Sequence, residues 1–533
     1  MHGHGKRLSY YILGEGVFEE PAYLSGSAHG CPAASATGKQ PTCSPYKFGR
    51  MFPRAARTLT AREWDELAQG LLHLGLSMNN SKHGNQPAND EPEDSEIPSG
   101  YTYLGQFIAH EITFDNTQEL PMVQPDPQNL RSPSIDLDSL YGAGPGDDES
   151  KKLYEDADPA RLKVGETTET GSFKRTFDNY DLPRDKKTGE GLIGDPRNDE
   201  NLPVAQTHVA LINFHNNVVR DLRSQGYNAD DLFDCARRQV VRHFQWVIIH
   251  DYLPTILDVE VLDCVLKHGP NWFRANSKDD LFMPLEFSAA AFRIGHSMVR
   301  DGYQWNVYHS TDLGAEHPPS LSQLFDQTAF SGIIGKDGAN PSLQSEWIID
   351  WRRFFNFPEE LGYQTATTGL NKARRIDTNF SFPLHKMERF PHHDLPEEKR
   401  SITVRNLLRG FALGLPTGEE MAEWIGETPL CHEDVANGPH SELLSTPIFK
   451  GKTPLWYYVL KEAELRGGSR LGPVGSRIIA ETLVGLIRHS CYSILAHPEW
   501  RPKYGRLDPE TGSVRFEMTD LLHTAGVVNP IGG

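Results

Sequence analysis

The chain of 533 residues carries 53 Lys and Arg against 72 Asp and Glu, a net charge of −19 with histidine neutral. That excess of acid disfavours nucleic acid and anionic membranes as partners, since both select clustered positive charge. A hydrophobic share of 38% suffices for a large core, yet no stretch approaches the ~18 unbroken apolar residues of a membrane-spanning helix.

The N-terminus, MHGHGKRLSYYILGEGVFEE, lacks the apolar run of a secretory signal, which points to a cytoplasmic protein or one exported by a non-Sec route. Residues 1–57 are rich in Gly, Ser, Ala and Pro and read as an irregular arm over a body. The six cysteines are scattered without metal-site spacing, and Cys31 and Cys43 are the one close pair, the single candidate disulfide. Thr60 and Glu63 form a capping box ahead of Trp64, Leu67, Leu71 and Leu74 at helical spacing. Residues 79–100 are polar, acidic and proline-containing, the composition of a surface loop. Beyond 101, helical patterns alternate with turns; the clearest cover 206–222, 230–252, 288–300, 403–413 and 476–496. Strand patterns are few, so the class is mainly α: an arm, one helix and an acidic loop over 1–97, then one large domain over 98–533.

Four segments bring chemistry-bearing residues together. In Gly105-Gln106-Phe107-Ile108-Ala109-His110-Glu111, Gln106 and His110 share one helix face a single turn apart. That pair suits a small polar pocket in which an amide orients a ligand and an imidazole moves a proton; a core histidine bonded to a neighbour reads equally well. Arg197 and Glu200, spaced R-x-x-E before a helix, form either an ion pair or a guanidinium set over a reacting oxygen. His208 and His215, two turns apart on that helix, are too far apart to share one metal ion. Small residues around His296 (Ser288, Ala289–Ala291, Gly295) allow a flat, bulky group to approach a ligating imidazole. Asn406 and Arg409 lie one turn apart, suited to a histidine's second nitrogen and to a carboxylate.

In this order and spacing the segments resemble the haem peroxidases of the peroxidase–cyclooxygenase superfamily, the animal haem peroxidase family and its microbial members. The resemblance spans roughly residues 98–500 and implies one large, mainly α domain binding haem b. It makes His110 the distal histidine with Gln106 beside it, Arg197 and Glu200 the R-x-x-E pair, and His296 the proximal iron ligand. Asn406 becomes the hydrogen-bond partner of His296, and Arg409 a neighbour of a haem propionate. The implied activity is reduction of hydrogen peroxide via compound I, with halides or small phenolic molecules as electron donors. His110 would shuttle the peroxide proton and Arg197 would stabilise the leaving oxygen.

Several positions depart from the family pattern. Ala109 stands where an aspartate forms one haem ester, so at most one ester link remains, through Glu200. Asn201 replaces the methionine of a sulfonium link. The segment 132–142 resembles the family's calcium loop, with Ser132, the Ser134 carbonyl, Asp136 and Asp138 as oxygen ligands. The fifth ligand position holds Glu111 in place of aspartate, one methylene longer. The alternative activity on this scaffold is fatty-acid dioxygenation, which needs a radical tyrosine three residues before the proximal histidine. Arg293 occupies that position, as in the peroxidase branch.

Overall fold

The computed structural model describes residues 47–53, 61–78, 94–114, 129, 131–314, 318–336, 338–366, 368–384, 400–508 and 511–532. The Thr60 cap and the Cys31–Cys43 pair lie outside them. The helices that position the site are α1 (Ala61–Ser77), α2 (Gly100–Ile112), α3 (Leu202–Ser224), α4 (Ala229–Val247), α5 (Ile402–Ala412), α6 (Leu455–Leu465), α7 (Pro473–His489) and α8 (Met518–Ala525). Strands are short and paired in twos; β1 (Lys47–Gly49) runs parallel to β3 (Phe282–Pro284), and β2 (Asp94–Pro98) antiparallel to β4 (Lys372–Arg374). The mainly α class read from the sequence is the one observed.

The longest helix, α3, is the hub. Asn201 caps it, its side chain accepting from Val204 N at 3.1 Å, with Pro203 in the first turn where a missing N–H costs nothing. Apolar residues cover most of its circumference, so it is buried nearly all round, packed against α2, α4 and α8. Helix α4 widens into a π-helical turn over Ile248–Tyr252. Pro254, just beyond, lacks the N–H that would continue an α-helical ladder.

Three elements differ from the sequence expectation. The predicted helix over 288–300 is a turn at Leu285–Ser288 followed by a 3-10 segment at Ala291–His296. Arg293 Nε donates to Ser288 O at 2.7 Å, so a side chain takes a carbonyl that a regular helix would use, and Ala290 breaks the helical dihedrals between them. The last predicted helix ends at His489 because Ser490 turns extended; its hydroxyl bonds Leu486 O (2.9 Å) and accepts from Ile135 N (3.2 Å). Residues 94–98, expected in a loop, form β2, with Ser95 Oγ donating to Ala373 O at 2.9 Å. The arm is also partly built into the body: Phe48 and Phe52 are buried, and the Met51 and Phe52 amides donate to Glu286.

Buried neutral histidines make stability depend on pH. Burial lowers His215 and His243 to about 4. His215 is held by the Tyr141 hydroxyl and Ala160 O, and His243 by Gln239 O and Lys503 N. A histidine depressed from its ordinary 6.5 binds fewer protons folded than unfolded between those values, so each removes stability as pH falls through that window. Burial acts oppositely on Asp251, raised to about 7, whose neutral form favours the fold on the acid side. Each such histidine lowers stability by up to about 1.4 kcal/mol per pH unit between 6.5 and 4, so His215→Gln is expected to lose less stability than the parent across that window in a calorimetric series.

Candidate active site

Helix α2 presents Gln106 and His110, both buried. Gly105 is required there because a Cβ would overlap the Tyr252 hydroxyl. The turn Pro196–Asp199 and the two residues after it approach α2 from the other side. Asp195 caps that turn, accepting from Arg197 N at 3.0 Å. Gly194 packs so closely on the short helix Asp138–Tyr141 that a Cβ would lie 2.5 Å from Ser139 O.

Every side chain from 197 to 201 has a separate task. The Arg197 guanidinium grips Asp195 (3.0 and 2.7 Å) and donates to the carbonyls of His110 (2.8 Å) and Thr113 (2.7 Å), with Phe114 stacked 4.6 Å beneath. Asn198 Oδ1 lies 2.8 Å from His110 Nδ1, and its Nδ2 lies 3.1 Å from His208 Nδ1. Asp199 pairs with Arg184 at 2.7 Å. Glu200 brings Oε2 to 3.8 Å from His110 Nε2. Asn201 Nδ2 donates to Gln106 Oε1 at 3.0 Å, which turns the Gln106 NH2 end away from α3.

The electrostatics keep His110 neutral. Burial, then the Arg197 charge, lowers its imidazole to about 3. With Nδ1–H donated to Asn198 Oδ1, the basic lone pair is on Nε2. Burial opposes ionisation of Asp195, but Arg131 and Arg197 outweigh it and hold the carboxyl below the usual range.

The proximal candidate lies on a second buried segment. His296 is buried at the end of the 3-10 segment, which packs against α2, α6 and α7. Asn406 Nδ2, on α5, lies 2.8 Å from His296 Nδ1. As drawn, the amide nitrogen donates; iron ligation through Nε2 calls instead for Nδ1–H donating to Oδ1, which a half-turn of the amide supplies. Arg293 is half-buried on the same segment, and Arg409 is half-buried in the last turn of α5.

Whether these residues fit a haem can be tested on the protein itself. Gln106 Nε2 and His110 Nε2 are buried and find no hydrogen-bond partner among the described residues. Native interiors seldom strand such groups unless a ligand or water meets them. Beside His296, a Cβ built on Gly295 meets nothing within 4 Å, so that flank is open to a flat group. The donor set and the open flank both fit.

The acidic loop forms a separate cluster. Glu111, Asp136 and Asp138 are buried with ligand oxygens within 4.8 Å of one another. Glu111 accepts from Asp138 N (3.1 Å), Ser139 N (3.1 Å) and Ser139 Oγ (2.5 Å), so the extra methylene lets it cap the short helix. Ser132 N donates to Asp138 at 3.4 Å, and Ser134 Oγ turns to Ser490 Oγ (3.2 Å), leaving its carbonyl as the ligand candidate. Arg131 stands 3.6 Å from Asp138 and 2.9 Å from Asp195, joining this loop to the distal turn. Burial drives Asp138 up to about 7, with Arg131 opposing and Asp136 adding to the shift.

The mainly helical body, with a buried histidine on each of two packed segments, has a fold similar to that of a solved peroxidase. Residues 96–334 match the model of the animal haem peroxidase family. The chain is similar to that family over this stretch, a little under half of its length. It is 29% identical to peroxidase mlt-7 of Caenorhabditis elegans over 277 residues, 50% of this chain and 37% of that protein. The chain spans less than half the length of the curated relatives it matches. Its fold is similar to peroxidase A of Dictyostelium discoideum (TM-score 0.52, 15% identity, 84% of this chain and 88% of that one). It is also similar to the fatty acid alpha-dioxygenase of Oryza sativa (TM-score 0.55, 11% identity, 91% and 80% covered). Members of the family bind haem. Among the described residues, no helix is long and apolar enough to cross a membrane.

Sequence reasoning missed Asp195, Asn198, Asn201 and His208. The two asparagines lie inside and just after R-x-x-E, where short amides amid charged residues were the available signal.

Proposed function

We propose that the protein is a haem peroxidase that reduces hydrogen peroxide and oxidises a small donor, a halide or a phenol. The observation that carries this reading is the buried, neutral His110, whose Nε2 has no hydrogen-bond partner among the described residues. His296, backed by Asn406, and Arg409 would hold a haem, which would supply the redox-active iron for reducing peroxide. His110 Nε2 takes the proton from one peroxide oxygen and returns it to the other, which leaves as water. The Gln106 NH2 group, aimed by Asn201, orients the peroxide. Arg197 acts through its charge, which favours negative charge on the departing oxygen and keeps His110 from being protonated at rest. Glu200 is the candidate for a single haem ester.

Arg293 favours this reading over fatty-acid dioxygenation, because no redox-active side chain stands at that position. The deciding experiment compares the haem-loaded protein in two assays. Peroxide with a panel of halides and phenols should give turnover, and fatty acid with dissolved oxygen should give no oxygen uptake; the reverse result would overturn the proposal.

A calcium ion is proposed at Glu111, Asp136 and Asp138, with Ser132 and the Ser134 carbonyl, where three buried carboxylates face one arginine. Chelation is expected to lower the unfolding midpoint, by up to about 3 kcal/mol of stability at saturating ion, and added calcium should restore it. An unchanged midpoint would mean that Glu111 caps the loop without an ion.

A further inference from the structure

His208 is buried and takes no part in the chemistry above, yet it is bonded to the residue that orients the base. Its Nδ1 lies 3.1 Å from Asn198 Nδ2, while Asn198 Oδ1 lies 2.8 Å from His110 Nδ1. All three residues are at most 1% exposed, so water does not substitute for these bonds. An amide has a donor end and an acceptor end, and here each end meets an imidazole. The three groups are therefore interlocked. A lone pair on His208 Nδ1 fixes Nδ2 toward it, which turns Oδ1 toward His110, places the His110 proton on Nδ1 and leaves Nε2 basic. With the amide reversed, His110 would carry its proton on Nε2 and could accept none.

We propose that His208, acting through the Asn198 amide, selects which ring nitrogen of His110 carries the proton, and is thus a positioning residue for the pocket base. Phe107, an edge-on neighbour of His208 with ring centroids 5.9 Å apart, holds the imidazole plane. The inference rests on the reading of His110 as the base, and the test separates the two.

The test uses the haem-loaded protein and cyanide as probe, because hydrogen cyanide must surrender a proton as it binds ferric iron. His110→Ala should slow cyanide association strongly; if it does not, the base is misassigned. Asn198→Leu should slow association on the order of tenfold. His208→Leu frees the amide to populate both orientations and should slow it by about a factor of two or more. Asn198→Asp can only accept from His110, so it should restore the rate relative to leucine and make a second change, His208→Leu, silent. Nitrogen-15 spectra of the histidine-labelled ferrous carbonyl form read the tautomer directly. Parent protein should show Nδ1–H at His110, and His208→Leu a mixture. If His208→Leu retains the parent rate and tautomer while His110→Ala does not, His208 is structural and the inference fails.

Discussion

Replacing His110 with alanine is expected to lower peroxide-driven donor oxidation by a factor on the order of 10²–10⁴. The proton transfer needs a neutral base with its lone pair facing the ligand, and His110 meets both conditions by burial and by the Asn198 bond. Neither Gln106 nor Arg197 can take over. Gln106 is an amide without basicity, and the Arg197 guanidinium is already committed to Asp195 and two carbonyls. Haem uptake should survive, since the proximal contacts of His296 and Asn406 lie on other elements. The informative pairing is turnover against haem content: a variant that loads haem normally and turns over slowly isolates the proton step. Undiminished turnover in the alanine variant would place the base elsewhere.

Much of this site was legible because it is built from local patterns. A glutamine and a histidine four apart on an apolar helix lie on one face wherever that helix goes, and α2 delivers them so. Helices α3 and α4 followed their 3.6-residue periodicity, α3 starting at an asparagine cap and α4 passing into a π-helical turn after Val247. His208 and His215, too far apart on α3 to share an ion, indeed have separate partners, Asn198 and Tyr141.

What stayed hidden depends on partners distant in sequence. Asn198 meets His110 across 88 positions, and Asn201 meets Gln106 across 95. No periodicity encodes such bonds. The proximal segment was misread for a related reason: its small residues suit a helix, but Arg293 folds back on Ser288 and breaks it. Arg197 was read either as an ion-pair partner or as a guanidinium set over a reacting oxygen, and its bonds run to Asp195 and to the end of α2. The short side chain two residues earlier, invisible as a motif, set that direction.

Asp195 is accordingly the position where a single change should cost most stability. Its carboxylate is fully buried and serves Arg131, both edges of Arg197 and the cap of the following turn. Alanine would leave the buried Arg197 and the partly buried Arg131 without their shared counter-charge. Removing one partner of a buried ion pair costs about 3–5 kcal/mol, because the remaining charge is stranded away from water. Asp195→Asn preserves shape and the cap acceptor but not the charge, so most of the loss should persist in it; parent-like stability in the asparagine variant would show that geometry alone matters. The effect should also spread. Arg131 lies between Asp195 and Asp138, and with Asp195 gone its charge turns wholly to Asp138. A cation in the acidic loop would then compete with that arginine, so the chelator-induced shift in unfolding midpoint should shrink in Asp195→Ala. An undiminished shift would show that the distal turn and the acidic loop are not linked through Arg131.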